Sequence, residues 1–165
     1  MKLVNIKISR YPNPVSGIKL YENNNIIIIL YNPVDYVLDG INIINKKYIK
    51  VIEEEKEDVL KLDILNYKVS SGNYFLEYDN FTEIHDIIKY FYVQKSKLIE
   101  IGLESSSYSL IGNILKLNEK SFILNLLSTK AKFIKEERID YDKIRILSFN
   151  NDYLNAFEYY LENIK

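Results

Sequence analysis

Apart from its carboxylates, the sequence contains few side chains that could do acid–base or metal chemistry. Its single histidine, His85, lies beside Asp86 and close to Glu83, and a histidine among carboxylates can act as a base or a metal ligand. One histidine with no cysteine does not make a conventional metal cage. Because His85 falls off the apolar stripe of a predicted helix, the sequence favours a solvated helix surface for it.

Two pairs of aspartates each flank a tyrosine and could support acid–base chemistry or Mg²⁺ binding. Asp35 and Asp39 flank Tyr36, and a second pair flanks Tyr141 at a predicted hairpin turn, where aspartate is common. The sequence has no glycine-rich phosphate loop, nucleophile elbow or dinucleotide fingerprint. It therefore predicts a protein that is not an enzyme and needs no cofactor or metal. A carboxylate-dependent or metal-dependent enzyme is the remaining alternative of that class.

A group of lysines, Lys46, Lys47 and Lys50, surrounds one turn and could contact RNA. A second basic group, between residues 130 and 138, is interrupted by two glutamates. Neither group is interleaved with aromatic side chains, as a platform for single-stranded nucleic acid would be. A net charge of −1 provides no long-range field for a polyanion. RNA binding by these lysines is thus an alternative, less favoured than a protein partner.

The elements that must position these side chains come in two similar sets. Residues 2–52 correspond without a gap to residues 97–147, so that Gly17 matches Gly112 and Ile28 matches Ile123, 95 positions later. In both opening segments apolar and polar residues alternate, as a strand with one buried face requires. Similarity of this kind indicates a duplicated structural unit.

Each set is predicted to form five short strands. A glycine inside the second strand of each set, Gly17 or Gly112, indicates a bend that curls a small sheet. The predicted fold is therefore α+β, mainly β: two tandem, duplicated five-stranded barrels of the SH3-like or Sm-like kind. The predicted strands lie near 2–9, 15–22, 26–31, 36–44 and 48–53, and again near 97–104, 108–117, 121–127, 132–139 and 143–149.

Helical periodicity appears between and after the two sets. A bridging helix is predicted near 81–92, with Asp79 or Asn80 as its N-cap, and a C-terminal helix near 153–163, with Asp152 as its cap. The stretch 53–68 is ambiguous between helix and strand, and its acidic start favours a helix. The predicted domains are a first barrel at 1–68, a connecting segment at 69–95 and a second barrel with the C-terminal helix at 96–165.

Length and composition restrict the class of protein further. A chain of 165 residues can bury a stable core, and the absence of cysteine excludes disulfides and thiol chemistry. No apolar run approaches the roughly 20 residues of a membrane span, and there is no signal-peptide core, so a cytoplasmic location is predicted. The 15 tyrosines suit strands and interfaces, although AT-rich codon usage is a competing explanation.

Several short motifs resemble those of small uncharacterised proteins of low-GC bacteria. They are YVLDGI at 36–41 with KYIK at 47–50, IGNI at 111–114, and SFNNDYLNAF at 148–157. The resemblance covers most of the chain and implies a compact, β-rich fold of Sm-like character. No activity is assigned to that group, so the resemblance implies no catalytic residue.

The two sets differ most in one loop, which is acidic and aromatic at 32–40 and basic at 128–136. Loops on a rigid scaffold are common binding elements, and opposite loop chemistries point to a protein partner, which includes another copy of the chain. Independent drift of the two loops is the competing explanation. The predicted contacts are Asp35, Tyr36 and Asp39, with Tyr48 beside them and Tyr36 as the aromatic anchor. The resulting hypothesis is a protein-binding module of the immunity or inhibitor type.

Overall fold

The computed structural model describes residues 1–56, 58–72, 78–95 and 97–164. Within these ranges the fold is α+β and mainly β, with ten strands that all pair antiparallel and three α-helices. The strands are β1 (Lys2–Ile8), β2 (Val15–Glu22), β3 (Ile26–Tyr31), β4 (Ile41–Asn45), β5 (Ile49–Glu54), β6 (Ile99–Gly102), β7 (Leu110–Leu117), β8 (Ser121–Leu127), β9 (Phe133–Asp140) and β10 (Ile146–Phe149). The helices are α1 (Val59–Ser71), α2 (Ile84–Val93) and α3 (Asp152–Asn163).

The ten strands form one sheet in the order β5-β1-β2-β3-β4-β10-β6-β7-β8-β9. The first half (β1–β5) and the second half (β6–β10) therefore have the same internal order: fifth, first, second, third, fourth. The β4–β10 pairing joins the halves, and no ladder among the described residues closes either half on itself.

The two halves also share an irregularity in the same place. The pairing of β2 with β3 shifts register between Lys19 and Tyr21, and that of β7 with β8 shifts between Ile114 and Lys116. These positions correspond under the 95-residue offset seen in the sequence. A bulge strengthens the local twist of a sheet, so both halves bend at the same point.

The main core lies on one face of the sheet, where α2 covers both halves. Ile87, Ile88 and Phe91 of α2 are buried in the same cluster as Ile43 of β4 and Leu147 of β10. These helix residues recur at the spacing that puts them on one face, which is why the sequence predicted the helix correctly. A smaller apolar cluster lies on the opposite face of the first half and comprises Val4, Ile6, Ile8, Ile27, Ile29 and Ile44.

The helix caps differ from the sequence prediction. The N-cap of α2 is Glu83, whose capping box is completed by the side chain of Asp86, whereas the predicted caps lie in a 3-10 turn at Tyr78–Asn80. The N-cap of α3 is Asn151, which accepts from the backbone N–H of Leu154 at 2.8 Å, so Asp152 is instead the first helical residue. Asn151 directly precedes the predicted cap of α3, whereas Glu83 lies three residues after Asn80. Asparagine caps a helix as well as aspartate does, and the capping box with Asp86 stabilises the start of α2 at Glu83.

Some predicted stretches differ in extent from the observed elements. The ambiguous stretch 53–68 divides into the end of β5 and the start of α1, which is capped by Asp58. The strand predicted at 36–44 begins only at Ile41, because residues before it form a turn. Among the helices in the described part of the chain, none is both long and apolar enough to cross a membrane.

Candidate functional site

The turn between β3 and β4, residues 33–38, is held from inside by one buried side chain; we call it the 33–38 turn. The Nδ2 of Asn32, a residue only 3% exposed, lies 3.3, 3.0 and 2.6 Å from the carbonyl oxygens of Val34, Asp35 and Val37. Asp35 has a φ of 42°, in the left-handed region that aspartate tolerates better than most residues. These contacts hold the backbone of the turn against the buried Asn32 side chain.

The 33–38 turn holds apolar side chains in solvent. Val34, Tyr36 and Val37 are 56%, 39% and 46% exposed. The turn is also tied to α1, because the Nζ of Lys68 donates to the carbonyl oxygen of Tyr36 at 2.6 Å. Exposed apolar side chains on a fixed turn are suited to packing against another molecule.

The four predicted partner contacts fall in two places. Asp35 and Tyr36 lie in the 33–38 turn, and Asp39 follows it, with its Oδ1 accepting from the backbone N–H of Asp152 at 2.7 Å. Tyr48 contacts the second half instead, where its hydroxyl donates to the carbonyl oxygen of Asp142 at 2.6 Å. The structure thus groups the first three residues on one segment and places Tyr48 where the two halves meet.

The predicted RNA-contacting lysines are partly engaged within the protein. The Nζ of Lys46 donates to Glu22 at 2.8 Å and to the carbonyl oxygen of Asn23 at 2.9 Å, and this contact holds the pKa of Glu22 below its usual value although burial opposes it. Lys47 forms an ion pair with Asp142. Lys50 is exposed on β5.

A cleft of about 400 Å³ opens where the halves meet, on the sheet face opposite α2; we call it the joint cleft. Its base is a row of polar residues across three strands, since Asn42 of β4 pairs with Ser148 of β10, and Ser148 pairs with Glu100 of β6. Alternation along each strand sends the residues between them, such as Ile43 and Leu147, to the core on the other face. The other residues around the joint cleft are Tyr11, Val15, Tyr31, Asp39, Gly102, Ser106, Ser107, Tyr108, Ser109, Ile146 and Asn151.

The joint cleft is negatively charged. Glu100 accepts from the Ser109 hydroxyl at 2.6 Å through Oε1 and from the Asn151 amide at 3.1 Å through Oε2. In the described ranges, neither Glu100 nor Asp39 forms an ion pair. Burial raises the pKa of the Tyr31 phenol, and the carboxylates of Asp39 and Glu100 raise it further.

Tyr11 connects the first half to the second across the joint cleft. Its hydroxyl donates to the carbonyl oxygen of Leu103 at 3.2 Å, and its ring lies over Gly102, where a Cβ would overlap the hydroxyl. Burial raises the pKa of Tyr11, the charge of Arg145 lowers it, and that of Glu100 raises it. Glycine at position 102 therefore makes room for one side of the joint cleft.

Asn42 is the least exposed polar residue of the joint cleft. It is 6% exposed, and its side-chain amide forms no hydrogen bond with any part of the chain that the structure describes. The buried side-chain atoms without a partner do not include those of Asn42, so its amide opens to the cleft. Its position in the lining of the joint cleft leaves the amide available to a ligand.

A second cleft, of about 460 Å³, contains the histidine. His85 lies on α2 outside its buried stripe, as predicted, but its ring lies 4.5 Å from that of Tyr141 and is half-buried. The physical reason is that the 3-10 turn before β10 brings Tyr141 against the start of α2. Across the described residues, no three His, Asp or Glu side chains converge to hold a metal ion.

The joint cleft was missed from the sequence. A signal was present, because Asn42 interrupts an isoleucine-rich strand and Ser148 interrupts an apolar one, at positions that face each other. Recognising it required the β4–β10 pairing, which no local pattern encodes. Comparison with protein-family models, with curated proteins and with solved structures finds no match to this chain.

Proposed function

We propose that this chain is a non-enzymatic protein-binding module that acts by occupying a partner protein, as inhibitors and immunity-type proteins do. The observation that carries the proposal is the 33–38 turn, which holds exposed apolar side chains on a backbone fixed by the buried Asn32. Tyr36 is the proposed aromatic anchor, with Asp35 and Asp39 as its polar surroundings.

The rigidity of the 33–38 turn supports this proposal energetically. Ordering a loop on binding reduces affinity, and a turn already held in one conformation avoids that loss. Aromatic side chains near the centre of an interface commonly contribute most of its binding energy. A fixed turn that presents Tyr36 between two exposed valines has both properties.

We further infer that the two halves descend from one duplicated five-stranded unit, each a curl of the SH3-like or Sm-like kind. The shared strand order and the shared bulge support this inference. The second half connects the corresponding strands by a shorter turn, from Leu127 to Phe133. The longer 33–38 turn is thus the feature that distinguishes the first half, which supports a specific role for it.

Photo-crosslinking at position 36 tests the proposal. In one variant a benzophenone amino acid replaces Tyr36. In the matched control variant it replaces Tyr159 of α3, which is 62% exposed. We expect a protein adduct from position 36 in lysate of the source cells, and none from position 159. Unlabelled wild-type protein should compete for it, and Tyr36→Ala should compete more than about tenfold less well. Equal adducts at both positions, or undiminished competition by Tyr36→Ala, would contradict the proposal.

The dependence of binding on salt concentration distinguishes RNA binding through Lys46, Lys47 and Lys50 from protein binding. Binding to a polyanion weakens steeply as ionic strength rises, because counterions are released on association. The ion pairs of Lys46 and Lys47 with Glu22 and Asp142 favour the protein proposal. RNA binding is favoured instead if the protein captures RNA from lysate, if rising salt and Lys50→Glu both remove this RNA, and if Tyr36→Ala still captures it.

A further inference from the structure

We infer that the joint cleft binds a cationic hydrogen-bond donor, a guanidinium or alkylammonium group, between Glu100, Asp39 and Asn42. This goes beyond the proposed function, because neither the 33–38 turn nor a protein partner is needed for such binding. The same chemistry is presented by a free small cation and by an arginine or lysine side chain of another protein.

The size of the joint cleft fits a group of this kind. Its volume of about 400 Å³ lies in the range of small-molecule sites and exceeds what one side-chain head group needs. The site is also built on rigid elements, since its base comes from three adjacent strands in the middle of the ten-stranded sheet.

The charge of the joint cleft selects a cation. Two carboxylates face it without an ion pair in the described part of the chain, and their charge reaches the phenol of Tyr31. Arg145, whose charge reaches Tyr11, forms no ion pair with either carboxylate, and its guanidinium instead donates to the carbonyl oxygen of Ser9 and stacks 4.5 Å over the ring of Tyr48. Both carboxylates of the cleft are therefore available to pair with a cationic ligand.

The hydrogen-bonding capacity of the joint cleft also suits a donor. Each oxygen of Glu100 accepts one hydrogen bond, from Ser109 or Asn151, and a carboxylate oxygen can accept two. The amide oxygen of Asn42, which lines the cleft and has no hydrogen-bond partner among the described residues, adds another acceptor. A planar guanidinium, with five N–H donors, can reach several of these acceptors at once.

Aromatic rings complete the site. Tyr11, Tyr31 and the exposed Tyr108 all line the joint cleft. A cation over the face of a tyrosine ring is attracted by the ring's quadrupole, and guanidinium groups stack on such rings especially well. A neutral group of the same shape would gain neither this attraction nor that of the carboxylates.

The experiment is an NMR titration of the full chain with N-acetyl-arginine amide and, in parallel, with N-acetyl-citrulline amide, its uncharged isostere. We expect the arginine compound alone to shift the backbone resonances of Asn42, Gly102 and Ser148, saturably. This comparison uses the wild-type protein, so it does not depend on the folding of any variant. Equal shifts from the two compounds, or no shift at these three residues, would overturn the inference.

Variants locate the site, and further probes identify the source of the cation. Glu100→Gln should weaken the arginine compound about tenfold or more, whereas Glu104→Gln, which removes a carboxylate paired with Arg10 outside the cleft, should leave its affinity unchanged. An unchanged affinity in Glu100→Gln would also overturn the inference. If butylguanidinium binds as tightly as an arginine-containing peptide, the natural ligand is a free small cation. If the peptide binds more tightly, the ligand is a side chain of a partner protein. Both outcomes support cation binding.

The test is separable from that of the proposed function. Tyr36→Ala is expected to weaken crosslinking competition more than about tenfold without altering the titration with N-acetyl-arginine amide. Failure of the titration alone leaves the 33–38 turn as a protein contact, and failure of crosslinking alone leaves the joint cleft as a cation site.

Discussion

Ile43 of β4 lies directly opposite Leu147 of β10, and this pair joins the two halves into one sheet. Both side chains are fully buried and belong to the same cluster as Phe91 of α2. On the other face of the same two strands, Asn42 lies opposite Ser148 at the base of the joint cleft. One pair of strands therefore supplies both the centre of the core and the base of the candidate site.

Leu147→Ala is expected to lower the free energy of unfolding by about 2–5 kcal/mol, because it leaves a cavity where the halves meet. Denaturant unfolding followed by circular dichroism measures this loss. Leu115→Ala, at a position 40% exposed, is the matched control and should change the free energy by less than about 1 kcal/mol. Similar losses in both variants would show that the joint is not a packed core.

Phe122→Ala is expected to cost about 3–5 kcal/mol of unfolding free energy, since the ring is fully buried in β8. It also stacks on the ring of Tyr141, with centroids 5.7 Å apart, so its loss should disturb the turn before β10. A thermal denaturation curve with an unchanged midpoint would contradict the burial of this strand. Tyr159→Ala, on the exposed face of α3, provides the comparison.

Asp86→Asn is expected to destabilise the protein at neutral pH and much less in acid. Burial raises the pKa of Asp86, but hydrogen bonds from Thr82 and Glu83 outweigh it, so the pKa lies below its usual value. A lowered folded-state pKa contributes stability above the unfolded-state pKa of about 3.9, and this is lost as pH falls through the folded-state value.

The measurement for Asp86 is the difference in unfolding free energy between wild type and Asp86→Asn as a function of pH. We expect about 1 kcal/mol near pH 7, the usual contribution of a capping side chain, and a smaller difference at a pH below about 3.9. Asp152→Asn, whose side chain does not cap α3, is the control. A difference independent of pH would mean that the charge of Asp86 contributes nothing.

The outer edges of the sheet, β5 and β9, are expected to resist pairing between two copies. Under the 95-residue offset, the register of the β4–β10 joint would place Glu53 opposite Glu137 and Glu54 opposite Glu136. Like charges directly opposite one another destabilise an antiparallel pair by about 0.2–1 kcal/mol each. Charged edge strands are a common defence against edge-to-edge association.

Sedimentation of edge variants checks this expectation. One variant gives β5 the corresponding residues of β10, through Glu53→Ser and Glu54→Phe. A second gives β9 the corresponding residues of β4, through Glu136→Ile, Glu137→Asn and Arg138→Ile. We expect the combined variant to form head-to-tail oligomers that the wild-type protein does not form. The β5 and β9 variants should each associate less alone than when mixed. A combined variant that sediments like wild type would refute the role of these charges.

Local signals were sufficient to predict most individual elements. The run Ser121–Leu127 is the strand expected at 121–127, and the apolar spacing of Ile84, Ile87 and Phe91 predicted α2. Such patterns are readable because side-chain direction alternates every two residues in a strand and recurs every 3.6 in a helix. The caps at Glu83 and Asn151 were missed because other residues of capping type, Asn80 and Asp152, lie close to them in the chain.

By itself, the sequence determined the strands, the helices and their two similar sets, because each of these depends on residues close together in the chain. Only the tertiary structure decided that β4 pairs with β10, since that contact joins residues about a hundred positions apart through backbone hydrogen bonds that any residue can form. The joint cleft follows from that pairing. Asn42, Glu100 and Asp39 are each unremarkable in the sequence, and they line one cleft because β10 lies between β4, which Asp39 precedes, and β6.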